Sequence, residues 1–195
     1  METARTRTAT VIGAEGHLVE VEAGIAPGLP ATIVTGLPDT VLREARDRVR
    51  AAIINSGERW PASKITVGLF PAMLPKRGSA YDLAIAIAIM AANGDLPAPA
   101  EGVMFLAELG LDGTLRPVPG VLPAALTATR AEISTIVVAT ANQAEARLAP
   151  GVTVIAADSL TGLFWGLHDW AHFHNHGPFL ERAWTELQCD AAALA

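Results

Sequence analysis

The sequence predicts one α/β (α+β) domain in which a mixed sheet is packed with helices. β-branched and polar residues alternate near the N-terminus, which is typical of half-buried strands. Two segments are rich in apolar residues in the pattern expected of helices. In the C-terminal half, short strand patterns alternate with helix patterns, which is typical of α/β domains. Of the 195 residues, 51% are apolar and 17% are charged, so the chain can bury one sizeable core.

The N-terminal third predicts a hairpin, a third strand and a helix. β-branched residues alternate with polar ones from Ala9 to Ala23 around a Glu-Gly turn, and a short strand follows at Ala31–Thr35. The next segment begins at Asp39 or Thr40 and extends to Asn55. It repeats apolar residues with the 3.6-residue period of one helix face.

The middle of the chain predicts an interior strand and a buried helix. Lys64–Phe70 is almost continuously apolar, which favours a position inside the sheet. The apolar run within Tyr81–Asn93 is about half the length that crosses a bilayer, so we expect a buried helix and no membrane contact. Ser79 and Asp82 match a capping box, which predicts that the Ser79 side chain caps this helix.

The C-terminal half predicts a hairpin followed by alternating helices and strands. Asp112 and Gly113 stand between two β-prone arms within Val103–Val118, which is a strong hairpin signal. The later predicted elements are a helix Val121–Arg130, a strand Thr135–Ala139, a helix Asn142–Leu148, a strand Val152–Ala156 and a helix Leu160–His168. We expect residues 1–170 to form the domain and residues 171–195 to be a tail or linker.

Charge and cysteine content narrow the classes of function. The formal net charge of −6 opposes a general attraction to nucleic acid, so any such site must be a local basic patch. The single cysteine, Cys189, cannot form an internal disulfide. No apolar segment of the kind found in signal peptides follows the N-terminal residues. These features favour a cytoplasmic protein.

Four sequence blocks carry a resemblance to a known family. They are Val21-Glu-Ala-Gly-Ile-Ala-Pro-Gly-Leu-Pro, Ile33-Val-Thr-Gly-Leu-Pro-Asp, Leu74-Pro-Lys-Arg-Gly-Ser-Ala-Tyr-Asp-Leu and Ala107-Glu-Leu-Gly-Leu-Asp-Gly-Thr-Leu-Arg-Pro-Val-Pro-Gly-Val-Leu-Pro. A fifth, weaker block is Asn142-Gln-Ala-Glu-Ala. With the blocks in the same order, the chain resembles the N-terminal Lon-protease-like domain of ComM/YifB proteins. That family consists of magnesium-chelatase-like AAA+ ATPases.

The resemblance implies a ribosomal protein S5 domain 2-like fold, shared with the proteolytic domain of Lon. It also implies a non-catalytic accessory or assembly domain of a DNA motor that drives branch migration in natural transformation and recombination. The resemblance implies that the domain associates with itself or with an AAA+ ATPase module. Single-stranded or branched DNA is a further partner that it implies. The sequence contains no G-x-x-x-x-G-K-[ST] loop, so we expect no ATP hydrolysis and no cofactor in this chain. ATP and Mg would belong to the ATPase module.

Lon-type peptidases activate a serine with a lysine, and the resemblance places the corresponding positions at Ala80 and Leu122. Neither side chain can act as a nucleophile or a base, so we expect no Ser-Lys dyad at these positions. Ser79 and Lys76 are a weak substitute pair. A divergent Lon-like serine peptidase therefore stays open as an alternative.

Two sets of basic residues are candidate DNA or phosphate contacts. The first set shares one stripe of the first helix and consists of Arg43, Arg46 and Arg50. Acidic neighbours on that helix favour the alternative of a solvated face with ordinary ion pairs. The second set combines a loop with the predicted hairpin and consists of Lys76, Arg77 and Arg116.

A histidine cluster near the C-terminus is a weak metal-site candidate. Its members are His168, His172, His174 and His176. Imidazoles four residues apart on a helix can share a zinc or nickel ion, which leaves a metal-binding module as a third alternative. An incidental His-rich stretch is the simpler interpretation. The neighbouring aromatic residues, Phe164 and Trp165 among them, are expected to pack a terminal helix onto the core.

Overall fold

The computed structural model describes residues 2–36, 39–76, 78–96 and 102–173, with side chains for all of these except 39–42 and 168–173. In chain order, the elements are β1 (Glu2–Ile12), β2 (Glu15–Ala26), β3 (Ala31–Thr35), α1 (Asp39–Asn55), β4 (Lys64–Phe70), α2 (Asp82–Ala92), β5 (Val103–Leu106), β6 (Glu108–Leu109), β7 (Leu115–Arg116), α3 (Val121–Arg130), β8 (Thr135–Ala139), α4 (Gln143–Ala146), β9 (Thr153–Ala157) and α5 (Leu160–Phe173).

A mixed sheet of seven strands forms the centre of the fold, in the order β3-β4-β2-β1-β5-β8-β9. β1 and β2 form a long antiparallel hairpin, and β2 also pairs antiparallel with β4. The other four pairings in this sheet are parallel. β4 lies inside the sheet, as its apolar sequence predicts. The prediction of a mixed α/β fold is thus confirmed.

Helices cover the two faces of the sheet and create two hydrophobic cores. The larger core joins α1, α2 and α5 to the face that carries Val21, Val67 and Phe105. The smaller core joins α3 and α4 to the opposite face, which carries Met104 and Ile136. Neighbouring residues of a strand point to opposite faces, so Met104 and Phe105 of β5 belong to different cores.

The predicted hairpin around Asp112 and Gly113 is present but shorter than expected. Its strands are β6 and β7, which pair Glu108 with Arg116. Val103–Leu106 instead enters the main sheet as β5 and pairs parallel with β8. This apolar segment can be buried on both faces of the sheet, and that burial outweighs the local hairpin preference.

The predicted cap of the second helix is wrong. α2 begins at Asp82, and Tyr81, at the N-cap position, makes no side-chain capping bond. Ser79 instead donates its hydroxyl hydrogen to the Glu108 carboxylate. A hydrogen bond to an ionised acceptor is stronger than one between neutral groups, which favours this contact over a cap.

The terminal helix α5 extends to Phe173, beyond the predicted end at His168. Phe164 is buried in the larger core, as expected, but the Trp165 residue is 72% exposed. Consecutive helical residues point about 100° apart, so both cannot face the same core. The domain boundary at residue 170 stays a prediction. Within the described residues, no helix is long and apolar enough to cross a membrane.

Candidate functional site

A cleft of about 380 Å³ lies between the end of β1, the loop before α2 and the loop before α3. Small and apolar residues supply most of its lining. The lining residues are Ala9, Thr10, Val11, Gly13, Gly78, Ser79, Ala80, Tyr81, Leu106, Val118, Pro119 and Gly120. Ala80, the position that the resemblance matches to a Lon nucleophile, lies in this cleft.

A chain of buried hydrogen bonds fixes the loop before α2 against β1. The Tyr81 hydroxyl donates to Thr10 Oγ1 at 2.9 Å, and Thr10 Oγ1 donates to the Pro75 carbonyl at 3.2 Å. Tyr81 and Thr10 are both buried. Gly78 has a φ of 77°, a conformation that side chains disfavour, and this lets the loop turn beside the cleft.

The opposite wall is held by the side-chain amide of Asn142. Its Nδ2 donates to the Val118 carbonyl at 3.0 Å, and its Oδ1 accepts from the Val118 N–H at 2.9 Å. Gly120 follows with a φ of 78°, and a Cβ atom there would lie 3.1 Å from Val11 Cγ2. Glycine is therefore required where this wall approaches β1.

A polar network connects the cleft to α1. Ser79 on the cleft wall donates to Glu108, which lies next to Leu109 in β6. The Leu109 N–H donates to Asp82 at 3.4 Å, and Asp82 accepts two hydrogen bonds from Arg48, at 2.7 and 3.1 Å. The network thus spans α1, α2, β6 and the cleft loop.

The Asp82 carboxyl is the most perturbed acid of the network. Burial raises its pKa to about 6, against the opposing effect of the hydrogen bonds from Arg48. The same hydrogen bonds raise the pKa of Arg48, so its guanidinium stays charged. Asp82 therefore changes its charge near pH 6, whereas Arg48 keeps its charge.

The structure does not bring the proposed substitute pair, Ser79 and Lys76, together. Lys76 is only 2% exposed, and its ammonium group donates to the carbonyls of Pro71, at 2.5 Å, and Leu74, at 3.2 Å. Burial lowers the pKa of Lys76. Because this amine holds a turn of the backbone, it is placed neither to deprotonate Ser79 nor to contact a phosphate.

The stripe of arginines on α1 is largely accessible. Arg43 and Arg50 are exposed, and no ion pair to either is found in the described part of the chain. Arg46 forms an exposed ion pair with Asp47 at 2.9 Å. Of the second basic set, Arg116 is exposed on β7, and Arg77 lies outside the described residues.

The histidine cluster falls outside what the structure describes in side-chain detail. The backbone of His168 and His172 belongs to α5, and His174 and His176 lie beyond the described residues. Among the described side chains, no group of three or more His, Cys, Asp or Glu residues is placed to hold a metal ion.

The comparisons with known proteins decide the family. The family described as subunit ChlI of Mg-chelatase matches residues 21–142, well over half of the chain. The chain belongs to this family. Its predicted resemblance to YifB and ComM proteins is also confirmed.

The matching relatives are longer proteins. An uncharacterized protein of Mycobacterium tuberculosis is 46% identical over 155 residues, 79% of this chain and 31% of the relative. YifB of Escherichia coli is 45% identical, over 78% of this chain and 30% of YifB. Competence protein ComM of Haemophilus influenzae is 41% identical, over 76% of this chain and 29% of ComM. This ChlI-family chain spans about a third of the length of these curated relatives.

Sequence reasoning missed the contacts of several residues that shape the site of this ChlI-family chain. Asp82 is the only charged residue of an otherwise apolar helix, and that isolation was a signal for a buried ion pair. Its partner Arg48 precedes the core residue Val49 and lies apart from the stripe of Arg43 and Arg50. The hydrogen-bond partners of Thr10 and Asn142 gave no signal, because they are distant in sequence.

Proposed function

We propose that this chain is a non-catalytic accessory or assembly domain of a ChlI-family protein related to YifB and ComM. The supporting observation is the composition of the cleft. The position matched to a nucleophile is Ala80, and the preceding serine, Ser79, donates its hydroxyl hydrogen to Glu108 rather than to a lysine. A serine held in this way lacks the amine partner that Lon-type chemistry requires.

A wider role is proposed for a longer protein that contains this domain. The chain matches about a third of the length of its relatives. That role is a DNA motor that drives branch migration during transformation and recombination. The name of one relative, competence protein ComM, fits such a role. The accessible arginine stripe of α1 supports direct contact with DNA phosphates, although the net charge of −6 restricts that contact to this stripe.

Salt-dependent DNA binding tests this role. We expect fluorescently labelled forked DNA to bind at low salt, and binding to weaken steeply as salt is added. Replacing Arg43, Arg46 and Arg50 with glutamine should reduce the slope of log affinity against log salt by about 2 to 3. A matched control replaces three exposed basic residues elsewhere, Arg59, Lys64 and Arg147, with the same change in net charge. Equal losses in both triple variants would contradict a contact through α1.

A divergent serine hydrolase is the second candidate, because the Ser79 hydroxyl lies in the cleft and contacts a carboxylate that can act as a base. A fluorophosphonate probe, which reacts with activated serines, discriminates between the accessory domain and the serine hydrolase. The accessory-domain proposal predicts no labelling of the folded chain and the same result for Ser79→Ala. Labelling that disappears in both Ser79→Ala and Glu108→Gln would replace the proposal with the hydrolase.

A further inference from the structure

One side of the terminal helix α5 is uncovered by the described residues. Leu163 and Phe164 are buried in the larger core, whereas the next residue, Trp165, points away from it and is 72% exposed. Aromatic side chains of this size contribute much of the apolar area that cores and interfaces bury. Leaving Trp165 in water therefore forgoes stabilisation that a partner on this side of α5 would supply.

A glycine beside Trp165 leaves space for a second helix to approach. Gly162 is exposed and lies three residues before Trp165, on the same side of α5. Among the described residues, a Cβ atom there would meet only Ser159 Oγ within 4 Å. Glycine inside a helix costs about 1 kcal/mol relative to alanine, but it permits close approach of another backbone. We refer to the surface formed by Gly162 and Trp165 as the Trp165 face.

The C-terminal sequence contains an apolar stripe that suits this face. Within residues 178–189, the apolar positions are Phe179, Leu180, Ala183, Trp184 and Leu187. This spacing places all five on one side of a helix, and most of the other positions are polar or charged. Proline is favoured at the first position of a helix, so Pro178 is a suitable start.

The chain between the two segments has the length that a return along α5 needs. α5 ends at Phe173, and residues 174–177 connect it to Pro178. Antiparallel helices are commonly joined by loops of about 2–5 residues. Trp165 lies about 12 Å before the end of α5, at 1.5 Å per residue. A helix that returns from Pro178 reaches the level of Trp165 near Leu187 and the level of Gly162 near Cys189.

We propose that residues 178–189 form an amphipathic helix that packs antiparallel on α5 and covers the Trp165 face of the same chain. Leu187 then lies against Trp165, and the backbone near Cys189 passes over Gly162. The inference goes beyond the accessory role proposed above, and it depends neither on DNA nor on the arginines of α1. It extends the domain past the predicted boundary at residue 170.

The covalent connection favours this segment over a second copy of the chain. A short tether holds two segments of one chain at an effective concentration on the order of millimolar. A second copy is present only at its concentration in solution. The segment of the same chain therefore occupies the Trp165 face first.

A spin label on Cys189, the single cysteine, tests the proposal in the 195-residue chain. Amide signals in nuclear magnetic resonance spectra lose intensity when a nitroxide lies close to them. We expect the amides of Thr161, Gly162 and Trp165 to lose most of their intensity. The amides of β3 should keep theirs, because α5 packs beside β9, and β3 lies at the opposite edge of the sheet, about 29 Å away at 4.8 Å per strand.

A pair of matched variants tests the apolar stripe. Leu187→Glu and Thr185→Glu each add one negative charge close to Cys189, but only Leu187 belongs to the stripe. We expect Leu187→Glu to restore the amide signals of α5 and to shift the indole resonance of Trp165. Thr185→Glu should leave the loss of signal unchanged. Trp165 is exposed, so Trp165→Ala should fold and should also restore the neighbouring amide signals.

Three results would overturn the proposal. Full intensity of the α5 amides in the labelled wild type would mean that residues 178–189 do not cover the Trp165 face. Equal effects of Leu187→Glu and Thr185→Glu would mean that the contact does not use the apolar stripe. An equal loss of signal in isotope-labelled Cys189→Ser chains mixed with spin-labelled chains would assign the Trp165 face to the segment of a second copy.

Discussion

Replacing Arg48 with methionine tests the buried ion pair that joins α1 to α2. In the wild type, the Asp82 side chain is 1% exposed and the Arg48 side chain 22% exposed, with bonds of 2.7 and 3.1 Å between them. Methionine keeps much of the packing volume and removes the charge and both donors. Asp82 then stays buried without its cation. Breaking such a pair typically costs about 3–5 kcal/mol of unfolding free energy.

Protonation of Asp82 limits this loss. Because the pKa of Asp82 is already about 6 in the folded wild type, neutralising this carboxyl at pH 7 costs only about 1.4 kcal/mol, the equivalent of one pH unit. The lost hydrogen bonds add about 1–2 kcal/mol, so we expect Arg48→Met to lose about 2–3 kcal/mol at pH 7. Adding Asp82→Asn removes the stranded charge and should recover about half of the loss.

Urea denaturation followed by circular dichroism at pH 7 measures both variants. Arg48→Met with a loss below about 1 kcal/mol would show that the pair contributes no more than a surface ion pair. A double variant no more stable than Arg48→Met would show that the stranded carboxylate is not the cause of the loss. Either result would mean that the energy of the buried Arg48–Asp82 pair is not set by the stranded carboxylate.

Three further changes test other parts of the structure. The pKa of Asp82 is raised in the folded state, so its stabilising contribution is full below pH 3.8 and declines until about pH 6. The difference in unfolding free energy between wild type and Asp82→Asn should change by about 2–3 kcal/mol across that interval and be constant above it. Lys76→Met leaves two carbonyls without their donor and should cost about 1–3 kcal/mol, whereas exposed Lys64→Met should be neutral in thermal denaturation. Gly16→Ala places a Cβ atom against a carbonyl and a hydroxyl of α3 and should cost about 1–3 kcal/mol, whereas the neighbouring Glu15→Ala should stay within about 0.5 kcal/mol.

The elements of the fold were predictable because periodicity is a local property of the sequence. The strand at Lys64–Phe70 and the helix at Val121–Arg130 match their predictions residue for residue. The fate of Val103–Leu106 was not predictable from its neighbours. The local Asp-Gly turn favoured a long hairpin, but burial between β1 and β8 is decided by residues distant in the chain.

The candidate site was predictable only in outline. The sequence blocks pointed to the loop that contains Ala80, and the structure places this residue in a cleft. The hydrogen-bond partners of the residues on either side of Ala80 could not be predicted from the sequence. Ser79 reaches Glu108 across 29 residues of sequence, and Tyr81 reaches Thr10 across 71. Hydrogen bonds between segments so far apart leave no periodic signal, so a nearby capping motif appeared to explain Ser79 better.

Light scattering of the purified chain, alone and with forked DNA at low salt, tests the accessory and assembly role most directly. We expect a mass larger than that of the 20.3 kDa chain, either through self-association or through a complex with the DNA. A mass of one chain in both samples, with the DNA unbound, would contradict it.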